Sequence, residues 1–121
     1  MQPAILKHNR ADELLTPEGC YIAETSNSSK DDSVSIARAR VEPGITTRLH
    51  SVDGTEERYL IIEGRGRVQV GNCEPTEVGP GDVVLVPAGM GQRIANVGDV
   101  DLVFYCICTP RFRQSNYRVL E

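Results

Sequence analysis

From Val34 onward, no apolar stretch outlasts a single β-strand, and Gly, Pro, Asn or Asp interrupts each one at short intervals. Val34 to Val41 is the first run, broken by Glu42-Pro43-Gly44; Thr46 to Val52 follows and turns at Asp53-Gly54-Thr55. Glu57 to Ile62, Arg67 to Val70, Val83 to Val86, Gln92 to Asn96 and Leu102 to Cys108 continue the pattern. Gly71-Asn72, Gly79-Pro80-Gly81, Pro87-Ala88-Gly89 and Gly98-Asp99 lie between them. An amphipathic helix needs about 10–12 residues at the 3.6 period. The chain offers nothing of that kind beyond one turn's worth at Ala11 to Leu15. Short strands at this spacing predict an all-β sandwich or barrel. Closing the sheet into a barrel also leaves few unpaired backbone groups at edges.

The 121 residues, 40% of them hydrophobic, supply one core and not two. Residues 1–32 read as a polar N-terminal arm with one strand in Gly19 to Ala23, followed by the turn-rich Asn27 to Asp32. Residues 33–121 read as the barrel. A net charge of -4 argues against nucleic acid or an anionic membrane as partner, since both reward clustered Lys and Arg. No apolar run approaches the roughly 20 residues of a membrane-spanning helix. The first residues lack a basic segment followed by a long apolar one, which predicts no secretory signal and a cytoplasmic protein. In that compartment Cys20, Cys73, Cys106 and Cys108 are expected as free thiols. None of their spacings is CxxC, and Cys106 and Cys108 read as small apolar strand residues rather than soft metal ligands.

Two blocks carry a resemblance. Gly44, His50, Glu57 and Gly64 fit the pattern G-x5-H-x-H-x3-4-E-x6-G. Gly81, Pro87, Gly89 and Asn96 fit G-x5-P-x-G-x2-H-x3-N without an insertion. In both respects the chain resembles the cupins, which implies a jelly-roll barrel, or double-stranded β-helix. Glu56 to Val68 and the tail Cys108 to Phe112 look like the small, stand-alone bacterial members of that family. The family's four inward metal ligands fall here on His50, Val52, Glu57 and Gln92. Two of the three expected histidines are therefore missing: Val52 cannot ligate, and Gln92 offers an amide oxygen, as in some metal-binding cupins.

Two readings of the site stay open on the sequence. In one, His50, Glu57 and Gln92 hold a weakly bound Mn, Fe, Ni or Zn ion, with water or substrate completing the shell. In the other they form a hydrogen-bonded polar cluster without metal. Tyr59, two residues beyond Glu57, shares its face; it is a candidate acid or substrate contact, or a packed ring with a tethered hydroxyl. Arg48, two before His50, is either an inward guanidinium for an anionic ligand or a solvated rim residue. Glu56 replaces Glu57 if the hairpin slips by one. His8 reads as a surface residue of the arm. The resemblance implies a small polar metabolite as ligand, bound or turned over, but dioxygenases, isomerases and pure binding domains share the fold, so it does not choose a reaction. A homodimer is expected, with Tyr21 to Ala23 crossing to a partner or covering the barrel.

Overall fold

Alternation along β5 (Glu56–Glu63) explains how the chain closes on itself. Tyr59 and Ile61 are buried while Ile62 points out, as a strand with one face on a core requires. The same alternation recurs in β8 (Val83–Val86), where Val84 and Val86 are buried and Val83 and Leu85 exposed. A computed structural model describes the whole chain, Met1–Glu121.

The remaining strands are β1 (Leu14–Leu15), β2 (Tyr21–Ser26), β3 (Ser35–Val41), β4 (His50–Val52), β6 (Gly66–Val70) and β7 (Thr76–Val78). β9 (Gln92–Asn96), β10 (Leu102–Thr109) and β11 (Tyr117–Val119) complete the set. They form two antiparallel sheets, in the orders β1-β2-β3-β10-β5-β8 and β11-β4-β9-β6-β7. This is the all-β jelly roll that the strand spacing and the resemblance predict.

Register sorts the interior into two ends. β10 sets Leu102 opposite Val41 and Cys108 opposite Ser35 on β3. On its other side β10 sets Cys108 opposite Glu57 on β5. Ile61, Leu102 and Val41 pack one end almost completely out of solvent. Each such side chain contributes roughly 1.5–3 kcal/mol by leaving water. The opposite end, with Ser35, Glu57 and Cys108, borders a cavity.

Two of the motif residues are structural. Gly64 has φ +85°, and a Cβ there would sit 2.6 Å from the Asp101 carbonyl oxygen, so no other residue fits without moving backbone. The Asn96 amide donates to the Val41 and Val100 carbonyls at 2.8 Å each, and its oxygen accepts from the Gly98 N–H at 2.9 Å. It ties the end of β9 to β3 and to the loop before β10.

Several boundaries differ from the sequence reading. Ala11 to Leu15 is not a helical turn: a 3-10 turn covers Arg10–Asp12, and Leu14–Leu15 is a short strand. The arm enters the barrel's own sheet, because β2 lies between β1 and β3 and buries Ala23. Tyr21 to Ala23 therefore pairs within its own chain. The run Thr46 to Val52 keeps ladder geometry only over His50–Val52, with a lone bridge from Thr46 to Ala95. β7 and β11 fall in polar segments with no strand signal; pairing with β6 and β4 makes them strands.

Candidate functional site

The motif positions meet from both sheets. His50 pairs with Gln92 across β4 and β9 in the smaller sheet. Glu57 and Tyr59 stand on β5 in the larger one, with Val86 and Val84 beside them on β8 and Cys108 and Cys106 on β10. Val52 is buried and lines the same cavity as His50, Glu57 and Tyr59, as period-two alternation requires. Glu56 is exposed, so the hairpin holds the register that turns Glu57 inward. The cavity measures about 510 Å³, within the range of small-molecule sites.

Hydrogen bonds fix the polar groups. The Tyr59 hydroxyl donates to the Gln92 side-chain oxygen. Gln92 is 1% exposed and does not itself line the cavity. The His50 Nδ1 lies 2.8 Å from the Arg48 carbonyl oxygen and 3.1 Å from Glu18 Oε2. Both neighbours are acceptors, so Nδ1 carries the proton, and Nε2 is the ring nitrogen left free. The ring of Tyr117, from β11, stacks on His50 at 5.2 Å between centroids. Glu57 Oε1 is buried without a hydrogen-bond partner.

Burial pushes the Glu57 carboxyl above its ordinary range, against the pull of the Gln92 amide and the neighbouring His50. Burial likewise raises Tyr59 and Cys106 far above their usual values, with Glu57 adding to both. Cys108 is pushed up to about 12 by burial, reinforced by Glu57.

Arg48 lies elsewhere. It is exposed and borders a shallow outer groove with Arg93 and Glu121, not the cavity. Its backbone N–H donates to the Glu18 carbonyl at 2.9 Å, so the chain before His50 follows the arm rather than a strand ladder. The two-residue alternation behind its inward placement does not extend to it. Glu18, Cys20 and Tyr117, by contrast, reach the cavity from the arm and the tail, which no local pattern signals. His8 is exposed and does not line the cavity.

The donor set does not fit a metal ion. No three side chains among His, Cys, Asp and Glu gather closely enough to hold one. Gln92 would have to ligate through its amide oxygen, the atom that accepts from Tyr59. Val52 supplies an aliphatic surface where an imidazole would stand. What remains is one imidazole nitrogen and one carboxylate, short of the three protein ligands usual even in open metal sites.

The two facing sheets and the inward quartet of positions define a class, a small barrel with its site between the sheets, and the comparisons agree with it. The cupin domain pattern matches residues 37–108, and the chain belongs to the cupin family. It is 32% identical to an uncharacterized protein of Methanocaldococcus jannaschii, over 95% of this chain and 93% of that one. It is 35% identical to the oxalate decarboxylase of Bacillus subtilis over 88 residues, covering 69% of this chain but 23% of the enzyme's length. Among solved structures, KdgF from Halomonas sp. superposes with a TM-score of 0.77, covering 90% of this chain and 96% of that one. Its identity of 13% makes this a likeness of fold alone. No helix is long and apolar enough to cross a membrane.

Proposed function

We propose that this cupin binds a small organic metabolite in the barrel cavity without a metal ion. The observation that carries the reading is the cavity itself: about 510 Å³, with an apolar majority on its wall and Glu18, His50 and Glu57 converging on it, while the Gln92 oxygen is taken by Tyr59. A few convergent polar groups on a largely apolar wall are what orients a small organic ligand. His50, with Nδ1 held and Nε2 free, and Glu57 are the groups that would touch the ligand; Tyr59 positions Gln92 behind them. A cytoplasmic setting and a homodimer belong to the same reading, and cell fractionation and light scattering at micromolar concentration test them.

The test of the site is a metabolite thermal-shift screen on untagged protein in the presence of a chelator, paired with elemental analysis. Ligand-dependent stabilisation in chelator, with substoichiometric metal, is the expected result. Stoichiometric Mn, Fe, Ni or Zn in the purified protein, or stabilisation that disappears with chelator, would replace this reading with the metal-bound one. A Val52→His/Gln92→His variant serves as the positive control for metal titration, since it restores two imidazoles to the family's positions.

A further inference from the structure

The charge and ring content of the cavity wall point to one ligand class. Four carboxylate residues border the cavity: Glu18 and Glu57 beside His50, and Asp12 and Glu24, both exposed residues of the arm. No Arg or Lys does, although the chain carries 13 of them. Arg38 and Arg40 stand on β3 but turn to the opposite face, where Arg40 is hydrogen-bonded to Glu13 and Arg38 lies 3.7 Å from it. The aromatic rings are concentrated in the same place. The chain has no Trp, two Phe and four Tyr. Both phenylalanines, Phe104 and Phe112, and two tyrosines, Tyr59 and Tyr117, border the cavity.

We propose that the ligand is an organic cation, an alkyl- or arylalkylammonium ion whose charged head meets Glu57 and Glu18 while its apolar body lies against the aromatic wall. This rests on the metal-free binding reading above and names the ligand class for it. A carboxylate and a ring face both attract a cation, and both repel an anion. Glu57 and Glu18 both line the cavity as carboxylate acceptors, and an ammonium has donors to spare and no acceptor to leave unsatisfied. An anionic dicarboxylate such as oxalate would enter beside two carboxylates with no guanidinium or ammonium to receive it.

Calorimetry and thermal shift in chelator decide it, using matched sets in which only the head group changes. One such set is 2-phenylethylammonium, 2-phenylethanol and phenylacetate; shorter alkyl sets extend the size range. The expected order of affinity is ammonium, then alcohol, then carboxylate, with the ammonium at least about tenfold tighter than the alcohol. Glu57→Gln, close in shape, should reduce that ratio toward one, whatever it does to the affinity of the alcohol; Glu18→Gln provides a second variant should the first fail to fold. An ammonium no tighter than its alcohol, a carboxylate tighter than either, or a ratio unchanged in both variants overturns the cation inference and leaves the cavity reading standing. No binding by any head group at any size overturns both.

Discussion

Glu57 occupies a place that penalises its charge. Burial holds its carboxyl above the ordinary value of 4.5 in the folded chain. The sign follows directly: where the folded value exceeds the unfolded one, the unfolded chain ionises first, and stability is lost as pH rises from 4.5 through the folded value. Replacing Glu57 with Gln removes that loss, so the variant should be more stable than wild type at pH 7, by roughly 1 kcal/mol, the scale typical of relieving a functional site. The gap should close near pH 4, where the wild-type carboxyl is protonated in both states. Melting curves across this range check it; a variant less stable at pH 7 would mean that Glu57 is satisfied by partners inside the fold. Tyr59 is the opposite case. Its hydroxyl is the partner of a Gln92 oxygen that has no access to water, so Tyr59→Phe leaves a buried acceptor unpaired. The expected cost is about 1–3 kcal/mol in denaturant unfolding, with the midpoint moving and the slope unchanged. A loss under a few tenths would show that another donor reaches Gln92.

At the scale of elements, one ionic cluster fastens the arm to the barrel. Arg40 on β3 donates from Nη2 to Glu13 Oε1 at 2.7 Å and from Nε to Oε2 at 3.0 Å, and reaches Asp101 at 3.2 Å. Its guanidinium also covers the Tyr21 ring at 4.2 Å. The hydrogen bonds from Arg40 hold the Glu13 carboxyl below its usual range. Stability from that pair is present above pH 4.5 and lost as pH falls through the lowered folded value. Arg40→Met should therefore cost roughly 2 kcal/mol at pH 7 and progressively less in acid, read from melting curves of both proteins. A cost independent of pH would assign the effect to packing on Tyr21 instead. The arm also marks where sequence reading stops. Glu57, Tyr59, Val52 and Gln92 were legible because each sits on a regular strand, where alternation and fixed block spacing set the face. Arg48 was not, because residues 48–49 leave the ladder to bond with the arm and the tail, through Glu18 and Glu121. Glu18 and Tyr117 were invisible for a related reason: they enter the cavity by long-range placement of polar segments. β7 and β11 are strands only by virtue of their neighbours, with Thr76, Glu77, Arg118 and Val119 exposed.

For the whole molecule, the thiols report how completely the two sheets enclose their contents. Cys73 is exposed in the turn after β6, Cys20 and Cys108 are buried, and Cys106 is partly buried beside the cavity. Burial raises the three interior thiols, so even a reagent that enters the cavity meets little thiolate. An aromatic disulfide reagent at pH 8 should therefore label one group at once and three slowly. If the barrel opens as one unit, the slow three should react together at the rate of global unfolding, because Cys20 sits on the arm and the other two on β10 in the middle of the larger sheet. Denaturant should release four free groups in total, the count expected of a chain with no disulfide. Three distinguishable results decide the matter. Fast reaction of Cys20, Cys106 and Cys108 together, all of which line the cavity, would show a cavity open enough for a bulky reagent to exchange freely. Fast reaction of Cys20 alone would show the arm detaching while the barrel holds, and Arg40→Met should then accelerate it further. Two groups instead of four in denaturant would reveal a disulfide and remove the basis for placing the protein in a reducing compartment.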